Sequence, residues 1–229
     1  MVSILDSKSL LGQIYITTYP RPMSGTEIAE KIGKRTDKVY QCLKRFQSHF
    51  HVKPEEMGGA FKKFYLSKSE SLYKVLEEKL TSKGFTLTEQ EKASLSDFLE
   101  NEFREMLPYV RGPSDLGIMP CFFGAIAVIY HTKNIMESAS EDSHDDLTNL
   151  LRNLWLSFSP HKTVSANLDL DEKLELFVNA TFRAVQKMDY PLLDKLLSLD
   201  EGRPVSMIFS YVTKYMQEFA KNIKPFEPV

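Results

Sequence analysis

Six basic side chains and one acidic side chain fall within a short stretch, Lys31 to Arg45. The same stretch carries the amide of Gln41, and the hydroxyl of Ser48 follows it. Lys and Arg neutralise phosphates or meet the acceptors of guanine, Gln pairs with adenine, and Asp accepts from cytosine. These residue types together predict a surface that binds duplex DNA. A solvated face on two ordinary helices is the alternative interpretation.

Two helices joined by a tight turn are needed to position these groups. Ser24 with Glu27 predicts a capping box at the start of the first of them. Gly33 supplies the positive φ that ends a helix tightly, and Thr36 is the predicted N-cap of the next helix. The sequence therefore predicts helix, turn and helix over 24–48.

At 100° per residue, the helix after Thr36 places Val39, Leu43 and Phe46 on its inner side and polar side chains on the other. The polar side is long enough to lie in a major groove, and the basic strand after it adds two lysines. The residues predicted to contact DNA are Lys34, Arg35, Thr36, Asp37, Lys38, Gln41, Lys44, Arg45, Ser48, Lys62 and Lys63.

Flanking elements complete a small N-terminal unit. A first helix is predicted within 7–18, closed by Pro20 and Pro22. After Phe50 the apolar residues no longer follow the helical period. The residues near 49–53 and 61–66 are typical of two strands joined by a hairpin turn at Gly58 and Gly59.

The residues now carry a resemblance to a known family. Ala29, Gly33 and Val39 are spaced as in the helix-turn-helix, with a small residue at the helix crossing, a glycine in the turn and a branched residue that anchors the recognition helix. The following "GGAFKKFYLSKSE" is similar to the wing of winged-helix transcription regulators, whose second strand commonly ends as Lys63 to Ser67 do here. The resemblance covers roughly the first third of the chain. It implies three helices, a β-hairpin wing and a regulator that binds double-stranded DNA.

The distribution of charge agrees with this placement, except at the wing. Residues 1–68 hold 12 basic and 6 acidic side chains, whereas 69–229 hold 17 and 25, so only the first part attracts phosphate. The wing tip, however, carries Glu55 and Glu56, which phosphates repel. Two alternatives stay open: the wing is held off the DNA while Lys62 and Lys63 touch it, or the module binds a protein within a larger assembly.

The rest of the chain is predicted to be helical. We expect a mainly α protein with two domains, a winged helix-turn-helix over 1–68 and an α-helical dimerisation or effector domain over 69–229. Ser67 with Glu70 and Thr88 with Glu91 are further predicted capping boxes. The predicted helices lie near 69–83, 88–110, 115–138, 143–158, 170–187, 190–199 and 204–222.

One of these helices is apolar on all sides. The segment "PCFFGAIAVIY" should occupy the centre of a bundle. Its aromatic side chains could instead line a pocket for a small-molecule effector. The candidate pocket residues are Met119, Phe122, Phe123 and Tyr130.

The last helix carries apolar residues at spacings of three and four, the pattern of a helix that pairs with another. This seam either closes the bundle or joins two subunits, and a homodimer would duplicate the recognition helix. The candidate interface residues are Val205, Ile208, Val212, Tyr215 and Phe219.

Catalytic and metal-binding patterns are weak in this sequence. We expect no enzyme and no cofactor, since no glycine-rich phosphate loop, nucleophile elbow or metalloprotease helix is present. The acidic run 137–147 could hold a divalent cation, but it is more typical of a loop and a helix start. Cys42 and Cys121 cannot form a disulfide framework, and the longest uncharged run contains Pro120, so we expect a cytoplasmic protein that does not enter a membrane.

Overall fold

The computed structural model describes residues 3–57, 60–110, 117–138, 144–158, 168–200 and 207–220. Within these ranges the protein is mainly helical with one small antiparallel sheet, as predicted. The N-terminal elements are α1 (Leu10–Thr18), β1 (Met23–Ser24), α2 (Gly25–Ile32), α3 (Thr36–Arg45), a 3-10 turn (Gln47–His49), β2 (Phe50–Met57) and β3 (Ala60–Ser67). The later helices are α4 (Ser69–Ser82), α5 (Glu89–Glu100), α6 (Glu102–Val110), α7 (Ile118–Ser138), α8 (His144–Phe158), α9 (Leu168–Lys187), α10 (Tyr190–Leu197) and α11 (Met207–Ala220).

The predicted turn between α2 and α3 is confirmed. Ser24 Oγ accepts from the Glu27 amide, and the Glu27 carboxylate accepts from the Ser24 amide at 2.7 Å, which forms the capping box. Gly33 has φ +63°, and the Lys34 amide donates to the Ala29 carbonyl at 2.9 Å. Local sequence thus sets where α2 begins and ends.

The predicted start of α3 is wrong by one residue. Arg35, with an extended backbone, is the N-cap, and Thr36 is the first helical residue. The Arg35 carbonyl accepts from the Val39 amide at 3.2 Å and so begins the helical hydrogen-bond series. No side chain caps this end.

The sheet has the strand order β1-β3-β2. β2 and β3 form the predicted hairpin, with Phe50 opposite Ser67, Val52 opposite Tyr65 and Glu55 opposite Lys62. Both strands are longer than predicted, and their turn at 58–59 lies outside the described residues. β1 was not predicted, because two residues beside prolines give no periodic signal.

Ser67 does not cap α4, so that predicted capping box is wrong; the N-cap is Lys68. Ser67 Oγ instead donates to the Tyr15 carbonyl at 2.7 Å and lies 2.8 Å from Thr18 Oγ1. Its hydroxyl therefore joins the end of β3 to α1.

The helical part is built around α7, whose predicted central position is confirmed. Phe122 is fully buried, with its ring edge-on to Phe103 at 5.7 Å, and the rings of Phe98 and Phe123 extend the cluster. α7 packs against α6, α9, α10 and α11. The predicted helix 88–110 is interrupted at Asn101, although its capping box of Thr88 and Glu91 is confirmed.

Several hydrogen bonds cross from the first 68 residues into the bundle. The Tyr19 hydroxyl donates to the Leu99 carbonyl of α5 at 2.8 Å. Arg104 on α6 donates to the carbonyls of Tyr19 and Ser67. The base of the hairpin and the end of α1 are thus attached to α6.

Candidate nucleic-acid interface

α3 has a packed side and an exposed side. Val39 and Leu43 are fully buried in the core of the N-terminal unit, and Phe46 is half-buried against it. The opposite side of the helix is exposed to solvent and is not covered by any described part of the later helices. The side chains exposed on and around it are Lys34, Arg35, Thr36, Asp37, Lys38, Gln41, Lys44, Arg45 and Ser48.

Two of these residues form an ion pair. Arg35 donates from Nε and Nη2 to the two carboxylate oxygens of Asp37, each at 3.0 Å. The hydrogen bond from Arg35 is the main cause that lowers the pKa of Asp37. Asp37 is therefore ionised and its acceptors are engaged, so a cytosine would have to compete with Arg35 for them.

The two hairpin lysines lie in different surroundings. Lys62 Nζ lies 3.9 Å from a Glu27 carboxylate oxygen and 5.4 Å from the centre of the Phe64 ring. This places Lys62 against the start of α2. Lys63 is exposed and has no ion pair among the described residues, so it is the freer of the two charges.

The β2 strand is acidic toward its end. Glu55 and Glu56 are exposed, and Lys53 Nζ lies 3.5 Å from the Glu55 carboxylate. The Lys53 charge offsets only one of the two carboxylates. This end of the hairpin consequently stays unfavourable for a phosphate.

The predicted effector residues are packed in the bundle. Met119, Phe122 and Phe123 are buried, and Tyr130 lies edge-on to Tyr190 at 5.6 Å. None of them lines either of two cavities, one of about 610 Å³ between α4 and α5 and one of about 350 Å³ among α7, α8 and α9. An effector pocket at these residues stays a prediction.

α11 packs against α7 of the same chain. Val212 is fully buried and Tyr215 is half-buried against the core. Val205 lies outside the described residues, and the side chains of Ile208 and Phe219 are likewise not described. A dimer interface formed by this seam stays a prediction, with at least Val212 engaged inside the chain.

Reactive groups are few in the described part of the chain. No group of three or more metal-ligating side chains occurs there, although 139–143 of the acidic run lie outside it. Cys42 is buried, and burial raises the pKa of its thiol against a smaller opposing effect of Arg45. This agrees with a packing role for Cys42.

Sequence reasoning missed Tyr40 and Arg104. Tyr40 is an exposed aromatic residue on α3, and Arg104 is a nearly buried cation with three hydrogen bonds. The helical period could have placed Tyr40 near the polar side of α3. No local signal marks Arg104, because two of its partners are carbonyls 85 and 37 residues away.

Comparison with known proteins does not assign this chain to a family. Within the described ranges, no helix is both long and apolar enough to cross a membrane. No protein-family model, no curated protein and no solved structure matches this chain.

Proposed function

We propose that this chain is a transcription regulator that binds duplex DNA through α3. In this proposal α2, the turn at Gly33 and α3 act as a helix-turn-helix, and β2 with β3 acts as its wing. One observation carries it: α3 is packed on one side, and its other side exposes Lys38, Gln41, Lys44 and Arg45 to solvent.

The dimensions of α3 suit a major groove. An α-helix with its side chains is about 10–12 Å across, which matches the roughly 12 Å width of the groove, and the ten residues of α3 give it a length of about 15 Å. Exposed Lys and Arg side chains release counterions when they meet phosphates, which gives affinity for any sequence. In the proposal the phosphate contacts are Lys34, Arg35, Lys44, Arg45, Lys62 and Lys63.

Gln41 is the best candidate for sequence reading. Asp37 is a weaker candidate because its carboxylate already accepts hydrogen bonds from Arg35. Lys38 is also weaker because, at 100° per residue, it lies beside Arg45 at one edge of the exposed side. Gln41 lies nearer the middle of that side, and its amide has no hydrogen-bond partner among the described residues. An amide can pair bidentately with adenine.

A homodimer would present two copies of α3 and recognise a palindrome. The proposal does not depend on the seam of α11, in which Val212 is already buried within the chain. A second copy would have to bind through residues other than Val212.

Titration of a labelled random duplex with the full chain tests the proposal. At about 50 mM salt we expect binding whose logarithmic affinity falls linearly with the logarithm of salt concentration. Fluorescence anisotropy measures it. No binding at this salt would overturn the proposal.

Replacing Gln41 with alanine should mainly relax sequence preference. We expect about tenfold less discrimination at one adenine position and an unchanged affinity for random duplex, since the amide reads a base edge. Selection from randomised DNA before and after the change measures the preference. An equal loss across all sequences would contradict this role.

A second candidate function is docking onto a protein. Two observations favour it: the exposed Glu55 and Glu56 on the hairpin, and the exposed apolar side chains of Tyr40 and Val52. Aromatic side chains such as that of Tyr are enriched at protein interfaces. Absence of DNA binding in the titration would favour this alternative.

A further inference from the structure

Tyr40 is an exposed aromatic residue on the proposed DNA-binding helix. It keeps 39% of its surface in solvent, although large apolar side chains in the described residues are mostly buried. At 100° per residue it lies close to Lys44 and about 140° from Arg45. Tyr40 and Arg45 therefore border the exposed side of α3 on opposite edges.

Gly25 sets the position of the Tyr40 ring. A Cβ atom on Gly25 would lie 2.5 Å from both Cε1 and Cζ of Tyr40. These are atoms at the hydroxyl end of the ring, so this end rests on the backbone at the start of α2. Any larger residue at position 25 must displace the ring.

A neighbouring tyrosine indicates the same position. Burial raises the pKa of Tyr65, and the proximity of Tyr40 adds to that rise. Tyr65 is on β3, opposite Met23 of β1, the strand that leads into α2. The Tyr40 hydroxyl thus lies where α2, α3 and β3 meet.

The Tyr40 hydroxyl has no hydrogen-bond partner among the described residues. The hydroxyls of Tyr15 and Tyr19, by contrast, donate to carbonyls at 2.6 and 2.8 Å. A phenol held on a surface with its donor free can bind an anionic oxygen without rearranging the protein.

We infer that Tyr40 contacts the DNA backbone by donating its hydroxyl to a phosphate, and that Gly25 is its positioning residue. This inference rests on the proposed function. A helix in the major groove has one DNA strand along each edge, and Arg45 faces one of them. Tyr40 supplies a neutral donor to the other strand.

Tyr40→Phe tests the contact, because it removes the hydroxyl and keeps the ring. We expect about tenfold weaker binding to random duplex, which is the effect of removing one hydrogen bond to a charged group. A neutral donor releases no counterion, so the salt dependence should stay as in the unmodified chain. Removal of a lysine from the same surface would lower that slope instead.

Gly25→Ala tests the positioning. We expect a similar loss of affinity in the otherwise unmodified chain and no further loss when Tyr40 is already phenylalanine. Thermal unfolding of each variant checks that the fold is intact, and Tyr40→Phe alone decides the contact should Gly25→Ala not fold.

The outcomes separate this inference from the proposed function. Salt-dependent binding by the unmodified chain with equal binding by Tyr40→Phe would overturn the contact and leave the function standing. A loss of affinity in Tyr40→Phe accompanied by a smaller salt slope would also overturn the inference, because a neutral hydroxyl releases no counterion. No binding by the unmodified chain would overturn both.

Discussion

Affinity for duplex DNA should fall by about 60-fold at 0.1 M salt when Lys44 and Arg45 are both replaced with alanine. Both side chains are exposed on α3, and each is proposed to neutralise one phosphate. The logarithmic salt slope should therefore become shallower by about 1.8. Anisotropy titrations across a salt series measure both quantities.

A matched control removes two positive charges elsewhere. Lys74 on α4 and Lys214 on α11 are exposed and belong to helices other than α3. Replacing both with alanine should change the affinity less than about threefold, because only nearby charges neutralise the bound phosphates. An equal loss in the control variant would show that net charge, and not the α3 surface, governs binding.

Replacing Arg104 with methionine should lower the free energy of unfolding by about 3 kcal/mol. The side chain is only 10% exposed; Nη2 donates to the Ser67 carbonyl at 2.8 Å and to Glu100 at 3.1 Å, and Nη1 donates to the Tyr19 carbonyl. The guanidinium carbon also lies 4.6 Å from the centre of the Tyr19 ring. Methionine fills similar space but leaves these acceptors without their donors. Urea unfolding measures the difference.

Arg152 provides the comparison for this change. It is exposed on α8, so Arg152→Met should cost less than about 0.5 kcal/mol. If Arg104→Met lowered the free energy of unfolding by less than about 1 kcal/mol, the carbonyls of Tyr19 and Ser67 would have found other hydrogen-bond donors.

The parts of the fold that the sequence predicted are those that neighbouring residues determine. The capping boxes of Ser24 with Glu27 and Thr88 with Glu91 each satisfy amides within one turn. Gly33 ends α2 because its φ is positive. Each of these signals lies within a few residues of the structure that it sets.

The wrong prediction at Ser67 involves partners that are distant in sequence. Ser67 has the spacing of a cap, yet its hydroxyl contacts Tyr15 and Thr18 on α1. The Ser67 hydroxyl can either cap the start of α4 or bond to α1, and in the structure it bonds to α1. Sequence spacing does not show which of the two is satisfied.

The sequence predicted which side chains of α3 are exposed, but not how those side chains pair with one another. Amphipathic spacing indicated that Gln41, Lys44 and Arg45 share a side of α3 opposite Leu43, and the structure exposes all three. The pairing of Arg35 with Asp37 depends on rotamers, which spacing does not determine.

α6 carries buried charges of opposite sign on two nearly opposite sides. Glu102, which is 1% exposed, lies 2.8 Å from Lys187 and 3.7 Å from Arg183 of α9, whereas Arg104 holds the carbonyl of Ser67. Residues two positions apart point about 200° apart around a helix. Turning α6 about its axis would therefore strain both attachments together, so α6 links the position of α9 to that of the base of the hairpin.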